Sequence, residues 1–153
     1  KGYRFKLLFA GMRTEKEEIK KIAEQENIPP NYCVFLGLRN DVEKILNISD
    51  ISVNSSVKGE ALSGSIRESL ACGVPVVASD ISGNGEIVKN GENGFLFSPG
   101  NYAELSQKIE ELMKNEKLRD FFCEKALKTV DEKFTVEKMD EETLKVYLRI
   151  LKK

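Results

Sequence analysis

Residues 60–80 read EALSGSIRESLACGVPVVASD. Small and polar residues give way to a helical pattern over residues 65–71, which ends at Ala71-Cys72-Gly73. Pro75 then opens a short apolar run, Val76-Val77-Ala78, of the kind that forms a buried strand. Two acids punctuate the stretch: Glu60 in the loop and Glu68 within the first turns of the helix. The residues between them expose backbone N–H groups at a helix N-terminus, where unpaired donors and the helix dipole favour an anion. A carboxylate nearby is shaped to accept two hydroxyls of a ribose or hexose. One loop therefore has the means to hold phosphate by backbone and sugar by side chain.

The flanking sequence predicts the same architecture. Upstream, FKLLFA (residues 5–10) reads as a strand buried on both faces, ending at Gly11. Residues 14–17, TEKE, fit a capping box with Thr14 as N-cap, for a helix carrying Ile19, Ile22 and Ala23 and stopped by Pro29-Pro30. Residues 32–36 form a second strand, 40–47 a short helix capped by Asn40 or Asp41, and 51–54 a third strand. Downstream come a polar, Gly-rich loop at 79–85, a helical segment at 86–89, the turn NGENG at 90–94 and a strand at 95–97. From Asn101, capped with Glu104, the chain is helical in about three pieces, with a break at Phe134-Thr135. Alternating strands and helices mean βαβ units and a parallel sheet, with ligands at the carboxyl ends of the strands. The loops at 55–64 and 79–85 lie there.

Composition narrows the function classes. The chain has 153 residues, enough for one domain with a real core, and a formal net charge of -1 that gives no pull toward nucleic acid. No apolar stretch is long enough to span a membrane. The sequence opens on Lys1 with no secretory pattern, so a fragment or processed product is expected. Three widely spaced cysteines, Cys33, Cys72 and Cys123, fit reduced thiols in a cytoplasmic protein. With no histidine, Ser-His triads and His-metal sites are excluded within this chain.

Each candidate also has a plainer explanation. Ser65-Ile66-Arg67-Glu68 is itself a capping-box pattern, so Glu68 is also readable as a helix cap and Glu60 as a solvated loop acid. Cys72 reads as a buried, inert thiol rather than a nucleophile, and Arg67 as a solvated helix position rather than a phosphate ligand. Arg13 stands after the first strand, where strand-end geometry turns some side chains into the cleft, and Asp80 reads equally as a turn-former. The last helix, from about Val136, mixes apolar residues with both charges. That favours packing onto protein over a membrane surface.

The longer pattern is more specific. Residues 60–80 resemble the signature of the glycosyltransferase group 1 family: two glutamates separated by seven residues, a small-residue helix ending Ala-Cys-Gly, then Pro-Val-Val and a polar turn. Its neighbours are similar in order. Phe35-Leu36-Gly37 with Asp41-Val42 resembles the family's strand and turn near the nucleotide base, and Asn54-Ser55-Ser56 takes the place of the loop before the first glutamate. Residues 82–88, SGNGEIV, look like its Gly-rich turn followed by Glu, and residues 91–96, GENGFL, like its closing turn and strand.

The resemblance implies an α/β fold: a Rossmann-like parallel sheet with helices on both faces, the C-terminal half of a GT-B fold, with a helical tail. It implies a hexosyltransferase that takes a nucleotide sugar as donor, retains anomeric configuration and requires no metal or other cofactor. The acceptor would be a glycan or lipid-linked, as in surface polysaccharide synthesis, and the whole protein's peripheral association with a membrane stays open. Glu60 would contact hydroxyls of the donor sugar near the reaction centre, and Glu68 the ribose. Backbone around Leu62, Ser63 and Gly64 would face the diphosphate or sugar, and backbone near Leu38 and Arg39 would line the base pocket. In the family's implied layout residues 1–153 are a single donor-binding domain. An acceptor domain, and a first strand-helix unit with a Gly-Arg…Lys-Gly pattern, lie outside this sequence, so the fragment alone is expected to be inactive. Ala61 stands where the family usually has Gly. A nucleotide-sugar epimerase of the same architecture, and a non-enzymatic nucleotide- or protein-binding module, are the alternatives. The lack of histidine argues against the first and the paired glutamates against the second.

Overall fold

The computed structural model describes residues 3–12, 17–58 and 62–151. They fall into two compact units, Lys1–Lys44 and Ile45–Lys153, with the boundary inside a short helix, α2 (Val42–Leu46).

In the first unit, β1 (Leu7–Ala10) pairs in parallel with β2 (Cys33–Gly37), with α1 (Glu17–Gln25) between them in sequence. Phe9 and Phe35 stack at 5.0 Å across the pair, and the Gly11 N–H donates to the Gly37 carbonyl at 2.8 Å. The expectation that residues 5–10 are covered on both faces is corrected here. Among the described residues β1 has one neighbour, β2, and its side chains are half-buried or exposed, Leu7 at 41%. Thr14, the expected N-cap of α1, lies outside the described residues. The helix ends at Gln25, ahead of the prolines, with Asn27 in the left-handed region at φ 54°.

The second unit is built on a parallel sheet in the order β3 (Ser52–Asn54), β4 (Val76–Ser79), β5 (Gly94–Phe97). The period-2 alternation of a strand sends neighbours to opposite faces. Val76 and Ala78 of β4 pack with Ile66 and Leu70 of α3 (Gly64–Ala71) and with Ile87 of α4 (Asn84–Ile87). Val77 packs on the other face with Phe95 and Phe97, with Leu112 of α5 (Tyr102–Lys114) and with Phe122 of α6 (Glu116–Lys133). The central strand is buried along its length, as its unbroken apolar run predicts. α6 serves both faces, because Ala126 belongs to the first cluster. α7 (Val136–Leu151) has no buried residue. Among the described residues no helix is long and apolar enough to cross a membrane.

Local chemistry sets the boundaries. α3 ends in a Schellman motif: Gly73 takes φ +69°, its N–H donates to Leu70, and the Val74 N–H reaches back to Ser69. α4 begins at Asn84, two residues before the expected 86, because the Asn84 amide anchors to the Ser79 carbonyl at 3.0 Å. Asn101 caps α5 by accepting from the Glu104 N–H, while the Glu104 carboxylate accepts from the Ser98 N–H at 2.8 Å. Within NGENG, Asn93 is buried rather than merely a turn residue. Its side chain accepts from the Lys89 N–H and donates to the Ile87 carbonyl and Thr129 Oγ1, tying the turn to α6.

Gly94 opens β5 against β4, where an added Cβ would lie 2.6 Å from the Val76 carbonyl oxygen and 3.0 Å from Val88 Cγ1. Gly94→Ala is expected to destabilise the chain by about 1–3 kcal/mol through this overpacking. A urea midpoint unchanged from wild type would show that the sheet yields without cost.

Candidate functional site

β3 and β4 deliver their carboxyl ends side by side, and the chain runs from β3 into α3 through the loop that carries Glu60. Glu60 and Ala61 lie outside the described residues, as does Arg13. The loop's described ends are firmly tied. Ser79 Oγ donates to the Ser56 carbonyl at 2.6 Å, joining the loop to the end of β4. The Asn54 side chain reaches from the end of β3 to the Ser63 and Ser65 hydroxyls at 3.1 and 3.4 Å.

α3 starts with Ser63 as its N-cap residue, at φ -62° and ψ 121°, and Ser63 makes no side-chain cap hydrogen bond. Its hydroxyl oxygen instead accepts from the Asn54 amide nitrogen and lies 3.0 Å from the Ser65 hydroxyl. The N–H groups of the first turn have no intrahelical acceptor by the geometry of any α-helix, so they stay available to an anion. Gly64 helps, since nothing lies within 4 Å of where its Cβ would be. Leu62 sits exposed just before the helix.

Glu68 is on the exposed side of α3; Ile66, Ser69 and Leu70 hold the opposite side in the core. Below the helix, Ser69 Oγ donates to the Ser65 carbonyl and lies 2.7 Å from Ser52 Oγ. The capping-box explanation of Glu68 does not hold. Ser65 is already inside α3, and the Glu68 carboxylate makes no hydrogen bond or ion pair among the described residues. Arg67 is likewise exposed, and Cys72 is half-buried at the C-cap rather than fully enclosed.

Leu38 and Arg39 follow β2 in the first unit, after Gly37 at φ 62°. Leu38 is 70% exposed. The Arg39 guanidinium grips Asp41 with two bonds of 2.8 Å. This hydrogen-bonded pairing holds the Asp41 carboxyl below, and the Arg39 guanidinium above, their usual ranges. The charge of Arg39 is thus already matched by Asp41.

A shallow recess of about 360 Å³ sits past the ends of β4 and β5, lined by Asp80, Phe97, Ser98 and Glu104 among others. It is separate in its lining from Glu68, and the Glu104 carboxylate is engaged with the Ser98 N–H, which lowers its pKa. Sequence reasoning missed the Asn54 contacts. An Asn closing an apolar strand ahead of Ser-Ser was the available signal.

Known proteins share this sequence pattern and fold. The sequence profile described as Glycosyl transferases group 1 matches residues 1–129. An uncharacterized glycosyltransferase of Methanocaldococcus jannaschii is 34% identical over 148 residues, covering 95% of this chain and 37% of that protein. The crystal structure of a glycosyltransferase from Rickettsia africae superposes with a TM-score of 0.89 at 28% identity, covering 97% of this chain and 41% of that one. HepE of Anabaena, in complex with UDP-glucose, superposes with a TM-score of 0.82 at 25% identity, over 94% and 41%. The chain thus spans about two fifths of each of these three proteins.

Proposed function

This chain belongs to the glycosyl transferase group 1 family, and from that premise we propose that it is the donor-binding part of a retaining hexosyltransferase using a nucleotide sugar. Its fold is that of the C-terminal half of a GT-B glycosyltransferase. The observation that carries the proposal is Glu68: a carboxylate with no hydrogen-bond or ion-pair partner among the described residues, one turn into a helix whose N-terminal N–H groups have no intrahelical acceptor.

In this proposal the diphosphate sits at the start of α3, facing backbone of Leu62, Ser63 and Gly64. Negative charge there is favoured by the helix dipole and by donors that need no reorganisation. Glu68 accepts from the ribose hydroxyls, Leu38 and Arg39 supply backbone to the base, and Glu60 contacts the sugar being transferred. The HepE complex with UDP-glucose supports a nucleotide sugar as the donor class. The acceptor, a glycan or a lipid-linked saccharide, would be bound by the other part of the whole enzyme. The free cysteines support a cytoplasmic site of action.

The test is a titration of this chain with UDP-, GDP- and ADP-sugars and the free nucleotides by ligand-observed NMR, which tolerates weak binding. Binding confined to one nucleotide series supports the proposal and identifies the base. No binding by the chain or by the whole protein would favour a module without transferase chemistry. Metal independence is part of the proposal: EDTA is expected to leave donor binding unchanged. A loss that Mn²⁺ restores would overturn that part.

A further inference from the structure

Asn54 closes β3, and its side chain links three points of the loop and helix that follow. The amide nitrogen donates to Ser63 Oγ at 3.1 Å and to Ser65 Oγ at 3.4 Å, and the amide oxygen accepts from the Ser56 N–H at 3.4 Å. The two serine oxygens lie 3.0 Å apart, so one donates to the other. The protons of this triangle can be counted. The amide supplies two and each hydroxyl one, and the three contacts use three of the four.

Burial decides which proton is left over. Ser63 is 3% exposed, whereas Ser65 is on the exposed side of α3. Were Ser65 the donor, the spare proton would be enclosed on Ser63 with no acceptor among the described residues, which is costly. Ser63 therefore donates to Ser65, and the Ser65 O–H is directed out of the triangle to the exposed side. Asn54 enforces this arrangement, because its amide fills an acceptor position on both oxygens.

We propose that Asn54 is a positioning residue of the donor site, and that the Ser65 hydroxyl it orients donates a hydrogen bond to a phosphoryl oxygen of the nucleotide. This rests on the donor-binding proposal above and deepens it. A phosphoryl oxygen is purely an acceptor and carries charge, so it suits both the spare proton and the open N–H groups beside it.

The test compares wild type, S65A, S65T and N54D by ligand-observed NMR, using the nucleoside diphosphate that binds and its parent nucleoside. S65A is expected to weaken the diphosphate about tenfold, the effect of one hydrogen bond to a charged group, and to leave the nucleoside unchanged. S65T keeps the hydroxyl and is expected to stay within about twofold of wild type. The N54D carboxylate would take both hydroxyl protons and add negative charge, so it is expected to weaken the diphosphate at least as much as S65A. Backbone amide spectra confirm that each variant is folded. Wild-type affinity of S65A for the diphosphate, or equal losses for diphosphate and nucleoside, would overturn the assignment while leaving the donor site standing. Failure of the wild type to bind any nucleotide would overturn the donor site, and this assignment with it.

Discussion

Glu68→Ala is expected to lower nucleotide affinity about 100-fold, on the order of 3 kcal/mol, while leaving the stability of the chain unchanged. The size comes from two ribose hydroxyls donating to one carboxylate, each hydrogen bond to a charged group contributing about 1.5 kcal/mol. Unchanged stability follows from position. Glu68 is exposed and has no hydrogen-bond or ion-pair partner among the described residues, so its removal strands no buried group. Glu68→Gln keeps the length and one acceptor oxygen and is expected to fall between alanine and wild type. Titration of both variants with the nucleotide series that binds wild type measures this. Equal affinity of folded Glu68→Ala and wild type would remove the ribose role. A drop in melting temperature parallel to the loss of binding would instead make Glu68 a structural residue.

Phe122→Ala is expected to cost about 3–5 kcal/mol of stability, the range for an aromatic removed from a closed core. Phe122 is fully buried and meets the Phe95 ring edge-on at 5.0 Å, in the cluster with Val77, Phe97 and Leu112. Its replacement leaves a cavity between α6 and the sheet. Against a total stability of about 5–15 kcal/mol, this is a large fraction. Urea unfolding checks it: the midpoint should fall with little change in slope. A cost below about 1 kcal/mol would mean that α6 is loosely docked. Its double commitment, Phe122 to one face and Ala126 to the other, would then need another explanation.

Much of the fold could be read from residue pattern, for identifiable reasons. Val76, Val77 and Ala78 form an unbroken apolar run because β4 is central and covered on both faces, and such runs are unambiguous when short and bounded by Pro and polar residues. The helical start at Asn101 and the break at Phe134 were equally legible, since Asn101 caps by a side-chain bond and Phe134 ends α6; the division at Asn115, which caps α6, is read only from the structure. Residues 5–10 misled because an apolar run indicates capacity for burial, whereas burial itself depends on how many neighbours a strand has.

The candidate site was only partly legible. Glu68 stood out by its spacing from Glu60, but nothing local distinguished a ligand from a cap. The start of α3 removes the cap reading alone, by placing Ser65 inside the helix; the ribose role is a proposal. The contacts of Asn54 were not readable because its partners lie 9 and 11 positions away, brought near only by the return of the chain over the end of β3. Asn93 was hidden likewise: its signal as a turn-former masked a contact 36 residues distant, at Thr129.

The place of α6 in both clusters bears on how the chain comes off the ribosome. β3, β4 and β5 are all synthesised by residue 97, yet each face of their sheet waits for a side chain from Glu116–Lys133. At about 5–20 residues per second, the emerging unit spends seconds with Val77, Phe95 and Phe97 of the strands unsealed on one face and, on the other, with Ile66 and Leu70 of α3 lacking their α6 neighbour. A nascent chain halted before α6 would be a substrate for chaperones rather than a folded intermediate, and folding of this unit is timed by the arrival of one helix.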